Sequence, residues 1–491
     1  MNANRKSDEF VLPTTSVNKV VTEASAEPIE ERNSAKRNIK QATLPRTLSR
    51  NESKSRGLLG VREAARKDSK LKFTALLHHI NEESLTEAFF NLNKTVAVGV
   101  DEVTWHEYKQ NLQANITDLH GRIHRGAYRA KPSRRVWIPK PDGRKRPLGI
   151  ASLEDKIVQQ AMVWVLQSIY EEDFLGFSYG FRIGRSQHDA LDALSVAISS
   201  KRINWILDAD IEGFFDTIDH EWLIQFLEHR IGDRRVVRLI RKWLRAGISE
   251  EGQWSKTTIG APQGSVISPL LANAYLHEVL DTWFAEVVTA HCRGKVVMYR
   301  YADDFVIGCE LESDARRIMK AIPQRFARFG LAINEEKTRM ISFRRPPKGY
   351  SRRTHGPKPG TFSFLGFTHY WGKTRKGGYT IKWKTDCRRL RRSVSSFWQW
   401  CRAHRHRPVE EQYQTLCAKL RGHYQYYGIP FNTEPLGLVH FKVTRAWRYW
   451  LNRRGGRKKL DWPTYKRLLS EFVLPSPRIV HGWDQMGSKS S

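Results

Sequence analysis

Two adjacent aspartates between two apolar runs constrain this chain more than any other feature of its sequence. Asp303 and Asp304 end the tetrapeptide Y-A-D-D, which V-V-M-Y-R precedes and F-V-I-G-C follows. Apolar runs on both sides of a short polar turn predict a β-hairpin. Carboxylates held together between buried strands repel each other and lose hydration, and divalent cations neutralise them. For the dipeptide alone, an ordinary surface turn is the open alternative.

A second pair of carboxylates lies upstream, in the segment W-I-L-D-A-D-I of residues 205–211. A strand places Asp208 and Asp210 on one face. Nucleotidyl transfer uses two metal ions about 4 Å apart, and one carboxylate from each of two neighbouring strands is the minimal set that bridges them. Mg²⁺ suits this arrangement because it takes few protein carboxylates and completes its shell with water and phosphate oxygens.

The charge of the chain indicates a polyanionic partner. The 491 residues carry a formal charge of +32, spread along the whole chain, and 40% of them are hydrophobic. That size and content allow two or three packed domains. A folded protein this basic repels itself unless it binds a polyanion such as nucleic acid. Charge alone does not separate an enzyme from a ribosome-associated or nucleic-acid-coating protein.

The cysteines favour a reducing cytoplasm. There are five, without C-x-x-C spacing, which argues against a disulfide framework. Cys401, His404, His406 and Cys417 lie near one another, but we expect one amphipathic helix that places them on different faces, which disfavours a zinc site. Apolar runs of roughly 20 residues are missing, and the N-terminus lacks a hydrophobic signal region, so we expect no membrane association.

The pattern along the chain predicts an α+β fold. Residues 1–55 resemble a flexible basic extension. Helical spacing predicts two short helices, over residues 73–80 and 85–92, with a cap at Asn81. From about residue 95 to 345, helices alternate with short β-branched or aromatic runs without regular βαβ winding. Those runs are residues 135–139, 205–211, 296–300 and 305–308.

Beyond residue 380 the chain is predicted to be mostly helical. Loops rich in Gly, Lys and Arg are predicted at 344–360 and 372–378, and the density of arginines in the first suits phosphate contact. The aromatic cluster at 420–428 favours helix packing over an RNA surface. Basic residues beside it are better contact candidates: Arg388, Arg391, Arg392, Arg453, Arg454, Arg457, Lys458 and Lys459.

Several ordered motifs together resemble a known family. The motif D-I-E-G-F-F at 210–215, the segment G-A-P-Q-G-S-V-I-S-P-L-L-A-N at 260–273, and Y-A-D-D resemble the palm of reverse transcriptases. Further pieces resemble the group II intron branch of that family, over roughly residues 57–481. They are G-V-D at 99–101, I-P-K-P-D-G-R-K-R-P-L-G-I at 138–150, Y-G-F-R at 179–182, E-K-T at 336–338, F-L-G-F at 364–367 and L-R-G-H-Y-Q-Y-Y-G at 420–428.

The resemblance implies a right-hand polymerase with fingers, palm and a helical thumb. It implies fingers and palm over residues 56–375 and a thumb, called the maturase or X domain, over 376–450. Residues 451–491 would be a basic C-terminal segment and a possible DNA-binding region. Two residues depart from the family pattern, since Glu102 stands where the family usually has glycine and Ile183 where it has proline.

The resemblance also assigns the metal ligands. Asp210 and Asp303 would be the principal ligands of two Mg²⁺ ions, and Asp304 would assist them. Asp208 shares the strand face with Asp210, and only the resemblance chooses between them.

Four further residues would contact the nucleotide. Lys140 and Arg146 would grip the incoming triphosphate, although without the resemblance a solvated basic hairpin is the favoured interpretation. Phe215 would crowd a ribose 2′-hydroxyl and so select deoxynucleotides, with plain core packing as the alternative. Gln263 would lie against the new base pair.

The function implied is an RNA-directed DNA polymerase that copies intron RNA and also acts as the maturase of that intron. Its partners would be group II intron RNA, an RNA template with a DNA primer, target DNA and deoxynucleoside triphosphates. It would act in the bacterial cytoplasm, and at the nucleoid when acting on DNA. The paired cysteines of an H-N-H endonuclease are missing after residue 440, so a primer from elsewhere is expected.

Two alternatives stay open. One is a maturase or RNA chaperone without polymerase activity, and the other is a reverse transcriptase of a defence or retron system. The intact acidic residues favour an enzyme, and the long thumb argues against the defence or retron systems.

Overall fold

The structure is a computed structural model, and it describes residues 56–139, 145–250, 253–255, 259–261, 263–351, 353, 359–455 and 460–482. These residues form two compact units. The first contains Leu207–Met340 and the described part of Glu30–Ala190, and the second contains Leu191–Ile206 and the described part of Ile341–Ser491. The bounds predicted for fingers, palm and thumb stay predictions.

Helices account for most of the regular structure. They are α1 (Arg56–Lys67), α2 (Glu82–Asn91), α3 (Trp105–Gln110), α4 (Leu112–His124), α5 (Leu153–Asp173), α6 (Gln187–Ser200), α7 (Phe214–Thr217), α8 (His220–Arg230), α9 (Arg234–Arg245), α10 (Ser268–Leu276), α11 (Thr289–His291), α12 (Glu312–Ala327), α13 (Cys387–Ala403), α14 (Val409–Tyr427), α15 (Thr433–Leu451) and α16 (Trp462–Glu471). Two π-helical turns, His277–Asp281 and Phe284–Val288, lie between α10 and α11.

Eleven strands are found in the described residues, in three sheets. They are β1 (Ser133–Pro139), β2 (Lys145–Ile150), β3 (Trp205–Ala209), β4 (Ile248–Glu250), β5 (Gln253–Ser255), β6 (Val296–Tyr301), β7 (Asp304–Cys309), β8 (Arg339–Ser342), β9 (Phe362–Phe364), β10 (Phe367–Lys373) and β11 (Tyr379–Thr385). The strand orders are β2-β1-β4-β5, β6-β7-β3-β8 and β11-β10-β9. Helices and mixed sheets confirm the α+β prediction, and each of the four predicted strands is present.

One predicted helix is wrong. Residues 73–80 contain only the 3₁₀ turn Leu77–His79, although their apolar spacing favours an α-helix. Long-range contacts explain the difference, because the Phe73 backbone pairs with Arg230 and Gly232. The carboxylate of Asp233 accepts hydrogen bonds from the backbone N–H groups of Leu76 and Leu77. Tertiary contacts therefore outweigh local periodicity here.

The second predicted helix and its cap are confirmed. Asn81 caps α2 by accepting a hydrogen bond from the Ser84 backbone at 2.8 Å, and the Ser84 hydroxyl accepts one from the Asn81 backbone in return. This reciprocal pair is a capping box, which satisfies two N–H groups that a helix start otherwise leaves without partners.

The core of the first unit is built on α5. Seventeen of its 21 residues are buried, including the polar Lys156, Gln159 and Gln160. The helix is therefore buried on nearly every side, as expected inside a large core. The Gln159 side chain accepts hydrogen bonds from the Ser265 hydroxyl and the Val266 backbone, so α5 fixes the segment after Gln263.

The second unit packs a helical core and a small antiparallel sheet. Trp447 of α15 is fully buried, and its indole N–H donates to Gln412 of α14 at 3.0 Å. Leu420, Tyr424 and Tyr427 of the aromatic cluster are buried as well. Helix packing is therefore the correct interpretation of that cluster. The single helix expected across residues 401–417 is wrong, since α13 ends at Ala403 and α14 begins at Val409.

The structure also bears on the departure at Glu102 and on membrane association. Glu102, where the related motif has glycine, adopts a φ of +55°, a left-handed conformation that glycine takes without steric cost. Within the described residues, every helix is too short or too polar to cross a bilayer.

Candidate active site

The Y-A-D-D segment forms the tight turn that its flanking runs predict. Strands β6 and β7 pair antiparallel, with Tyr301 opposite Asp304, so Ala302 and Asp303 are the two loop residues. Ala302 has a φ of +57°, an uncommon conformation for a residue with a Cβ atom. Both aspartates are half-buried while the strands around them are buried. The hairpin therefore presents two carboxylates at its tip.

A buried ion pair fixes this turn to the protein interior. Arg300 and Asp281 are both fully buried. Arg300 Nε donates to Asp281 Oδ1 at 2.8 Å, and Nη2 donates to Asp281 Oδ2. Arg300 Nη1 donates to the Ala302 carbonyl at 3.0 Å and to Asn273 Oδ1 at 2.9 Å. The guanidinium group thus connects the turn to the interior of the first unit.

The Y-G-F-R motif packs directly against the turn. A Cβ atom on Gly180 would lie 2.1 Å from the Ala302 nitrogen, so only glycine fits. The Gly180 carbonyl accepts a hydrogen bond from the Asn273 amide at 2.7 Å. The Tyr179 backbone N–H donates to the Arg300 carbonyl at 2.8 Å. Three separated motifs therefore meet at the backbone of the aspartate turn.

Of the upstream carboxylates, Asp208 lies on β3, which is adjacent to β7, and Asp210 follows the last residue of that strand. Burial raises the pKa of Asp208 to about 6; Arg339 opposes that shift, and the nearby charges of Asp304 and Asp210 add to it. The charges of Asp210 and Asp304 act on Asp208, so these carboxylates lie near one another. Their roles as metal ligands stay predictions.

Two cations at this site were not predicted as site residues. Lys337 donates to Asp210 Oδ2 at 2.7 Å, and Arg339 approaches Asp208 Oδ2 at 3.3 Å. The Asn334 backbone N–H also donates to the Asp210 carbonyl at 2.8 Å, which fixes the segment. Lys337 belongs to the E-K-T motif at 336–338, which pointed to this segment without giving the lysine a role. The pairing of the two cations with the two aspartates follows only from the packing of the segments.

The carboxylates fit Mg²⁺ by their chemistry. Among the residues that the structure describes, no group of three or more His, Cys, Asp or Glu side chains is arranged so that it could hold a metal ion. Mg²⁺ does not need such a group, because it usually binds one or two carboxylates and takes its other oxygens from water and phosphates. Asp210 and Asp303 offer hard oxygen ligands on neighbouring segments. Lys337 would have to leave Asp210 for an ion to bind there.

A second cluster forms around Gln263. The Arg146 Nε donates to Gln263 Oε1 at 2.6 Å, and the Gln263 amide nitrogen donates to Asp216 Oδ1 at 3.1 Å. Phe215 precedes Asp216 and is half-buried, with its ring 5.5 Å from that of Phe214. The structure therefore joins Arg146 and Gln263 directly and places Phe215 beside them in sequence. Lys140 lies outside the described residues.

The chain matches one family model and several known proteins. Residues 138–369 match the family model for reverse transcriptase (RNA-dependent DNA polymerase). Protein YkfC of Escherichia coli strain K12 is 36% identical over 237 residues, which are 43% of this chain and 62% of that protein. Group II intron-encoded protein LtrA of Lactococcus lactis subsp. cremoris is 45% identical over 155 residues, 31% of this chain and 26% of that protein.

A further intron protein and one solved structure also match the chain. The putative COX1/OXI3 intron 1 protein of Saccharomyces cerevisiae is 30% identical over 271 residues, 45% of this chain and 32% of that protein. The chain thus spans less than two thirds of the length of each of these relatives. Telomerase from Candida albicans, with bound telomeric RNA fragment, matches with a TM-score of 0.38 and 11% identity over 75% of this chain and 66% of that one. So weak a likeness supports no argument.

The matched domain contains both the aspartate turn and the Gln263 cluster. Most of the motifs that indicated the family lie in the region that the family model matches, whereas those at 99–101 and 420–428 lie outside it. Residues 138–369 of the chain are thus similar to reverse transcriptases, and the relatives that it matches include a group II intron-encoded protein and an intron protein.

Proposed function

We propose that the chain is an RNA-directed DNA polymerase that copies group II intron RNA into DNA and also acts as the maturase of that intron. The observation that carries the proposal is the position of the Asp303–Asp304 turn near Asp208 on the adjacent strand β3 and near Asp210, which directly follows that strand. Carboxylates from neighbouring strands are the arrangement that two-metal nucleotidyl transfer requires.

In this proposal Asp210 and Asp303 hold two Mg²⁺ ions, and Asp304 assists. Bound Mg²⁺ would activate the primer 3′-hydroxyl and neutralise the triphosphate. The carboxylates set the position of this chemistry, and the buried Arg300 keeps the turn that bears Asp303 and Asp304 in place. Asp208, held by Arg339, would raise the negative potential beside the site.

The cluster around Gln263 would bind the deoxynucleoside triphosphate. Arg146 and Lys140 would contact its phosphates, since guanidinium and ammonium groups form charge-assisted hydrogen bonds with them. The Ala261 backbone N–H donates to the Phe215 carbonyl at 2.8 Å, which fixes the residue that would exclude a ribose 2′-hydroxyl. Gln263 would contact the new base pair.

The second unit would supply part of the RNA-binding surface. Arg388 and Arg391 are exposed on α13, and Arg453 is exposed after α15. Together with a formal charge of +32 for the chain, they favour binding to intron RNA, template–primer duplex and target DNA. The site of action would be the bacterial cytoplasm and nucleoid.

Primer extension on an RNA template tests the polymerase. Wild type should extend a DNA primer with Mg²⁺ and deoxynucleotides. Asp303→Asn, which keeps the shape of the side chain but removes its charge, should lower the rate at least about 1000-fold, because electrostatic and metal contacts supply most of the rate. Asp118→Asn is the control, since Asp118 is an exposed residue of α4, with 61% of its side chain accessible.

The outcomes separate the two functions. Extension by wild type and by the Asp118 variant, but not by the Asp303 variant, supports the polymerase and its metal site together. If wild type does not extend the primer but binds its intron RNA tightly, the chain is a maturase without polymerase activity. Equal extension by all three proteins would contradict the assignment of Asp303.

A further inference from the structure

The structure places an exposed carboxylate in direct contact with the proposed nucleotide-binding residues. Asp216 accepts from the Gln263 amide nitrogen at 3.1 Å, and Gln263 Oε1 in turn accepts from Arg146 Nε at 2.6 Å. We propose that Asp216 is a positioning residue for the incoming deoxynucleotide, acting through Gln263 on Arg146. This inference deepens the proposed function and rests on it.

The chemistry of the three groups allows only one orientation of the Gln263 amide. A guanidinium group can only donate, and an ionised carboxylate can only accept. The carbonyl oxygen of Gln263 must therefore face Arg146, and its NH₂ group must face Asp216. If the Asp216 carboxylate were removed, the hydrogen bond from Arg146 Nε would still favour the carbonyl oxygen on its side, but the NH₂ group would lose its acceptor and the amide could rotate about that single hydrogen bond.

The backbone around Gln263 is fixed independently. The Gly149 N–H donates to the Gln263 carbonyl at 2.6 Å. Gly264 has a φ of +100°, and a Cβ atom there would lie 2.6 Å from Leu148 and 3.0 Å from the Gly149 carbonyl. Gln159 holds the next two residues. Because the main chain is held firmly, the side chain of Gln263 is the part that can still rotate. The hydrogen bond to Asp216 restricts this rotation.

The contacts also determine what Arg146 offers to a substrate. Its Nε is used by Gln263, and among the described residues its two terminal nitrogens have no hydrogen-bond partner. These nitrogens form the planar edge with which arginine binds phosphate. Fixing Nε fixes the direction of that edge. Asp216 therefore sets the geometry of triphosphate binding without touching the substrate.

This role predicts a specific kinetic change. Loss of a hydrogen bond to a charged group weakens binding by roughly tenfold or more. We expect Asp216→Ala to raise the KM for deoxynucleotides about tenfold and to change kcat less than about threefold, since the carboxylates of the aspartate turn are untouched. Asp216→Asn keeps an oxygen acceptor in place and should recover most of the loss, because a neutral hydrogen bond retains part of the strength.

Glu212→Ala is the matched control. Glu212 is an exposed carboxylate of the same segment, four residues before Asp216, so its removal changes the charge equally. Its backbone N–H donates to the Ala332 carbonyl, which the substitution leaves intact. A change in general electrostatic attraction would affect both variants alike. A change in the orientation of Gln263 would affect only the Asp216 variant.

The experiment measures single-nucleotide incorporation on an RNA template and, separately, nucleotide affinity in a complex whose primer ends in a dideoxynucleotide. The second measurement requires no catalysis. Asp216→Ala is also combined with Gln263→Met. If Asp216 acts through Gln263, the double variant should bind deoxynucleotide no more weakly than Gln263→Met alone.

The outcomes distinguish this inference from the proposed function. A tenfold loss of affinity in Asp216→Ala, little loss in Glu212→Ala, and no added loss in the double variant support the inference. Equal affinities in the Asp216 and Glu212 variants, or fully additive losses in the double variant, overturn it. If wild type incorporates no nucleotide, the polymerase proposal fails. Nucleotide affinity in the terminated complex then decides the role of Asp216 by the same criteria.

Discussion

At the scale of single residues, the site pairs its acidic groups with basic ones. Asp208 and Asp210 are two residues apart at the end of β3, and they form ion pairs with Arg339 and Lys337, which are two residues apart as well. These ion pairs reduce the repulsion among the carboxylates while no metal ion is bound. The same cations compete with metal ions for the carboxylate oxygens.

Replacing Lys337 should therefore strengthen metal binding. The Lys337 side chain is 60% exposed, so its ion pair with Asp210 is a screened one and the effect is modest. We expect Lys337→Met to tighten Mn²⁺ binding to the nucleic-acid-free protein roughly twofold to fivefold, measured by calorimetry. Lys320→Met, an exposed lysine of α12, is the control for loss of charge. Weaker binding in the Lys337 variant would contradict the competition.

The sugar selectivity of the enzyme should depend on Phe215. Phe215→Val keeps an apolar side chain but removes the ring that would crowd a 2′-hydroxyl. We expect the preference for deoxynucleotides over ribonucleotides to fall at least about tenfold, since such a clash costs 1.4 kcal/mol or more. The comparison is between the kcat/KM values for one deoxynucleotide and its ribonucleotide. Unchanged selectivity would show that Phe215 is a core residue.

Residue-level prediction from the sequence succeeded for local patterns and failed for distant contacts. The turn at Asp303 and Asp304 follows from its apolar flanks, and the structure confirms it. The contact of Asp216 with Gln263 joins residues 47 positions apart. No periodicity encodes such a pairing, because it arises only when separate segments pack together. The metal and nucleotide roles of these residues stay predictions.

At the scale of elements, the hairpin depends on a buried charge pair. Breaking one partner of such a pair leaves the other charge buried without compensation, which costs about 3–5 kcal/mol. We therefore expect Arg300→Met to lower the free energy of unfolding by about that much, measured by urea titration. The double variant Arg300→Met with Asp281→Leu should lose less, because it removes both buried charges. A larger loss in the double variant would contradict this account of the pair.

Element prediction from the sequence was good where local and tertiary preferences agree. Helix α2 carries both its apolar stripe and its Asn81 cap, and it forms as predicted. The segment 73–80 has the stripe, but its backbone N–H groups bond to Asp233 and Arg230 instead. Helix α13 ends at Ala403, and the chain forms a turn before Pro408, so the continuous helix expected there does not form.

At the scale of the whole molecule, the dominant property is the charge of +32. Binding through phosphate contacts releases counterions, so affinity falls steeply with salt. We expect RNA affinity to fall at least about 100-fold between 50 and 200 mM salt, measured by filter binding. A flat response would contradict an electrostatic binding surface.

Matched variants locate part of that surface. Arg388→Gln combined with Arg391→Gln should reduce the slope of log affinity against log salt by roughly 1.5, which corresponds to two lost phosphate contacts. Arg316→Gln is the control, since the Arg316 guanidinium already pairs with Glu312 at 2.6 Å. An equal change in slope for the control would mean that these α13 arginines contribute nothing specific.

In the proposed mechanism, carboxylates from two neighbouring segments hold two metal ions for nucleotide transfer. Mn²⁺ ions can be counted by electron paramagnetic resonance in a complex of protein, RNA template, dideoxy-terminated DNA primer and deoxynucleotide. We expect two ions bound to wild type at saturation and at least one fewer in Asp303→Asn, with RNA affinity unchanged. Equal metal counts in the two proteins would contradict it.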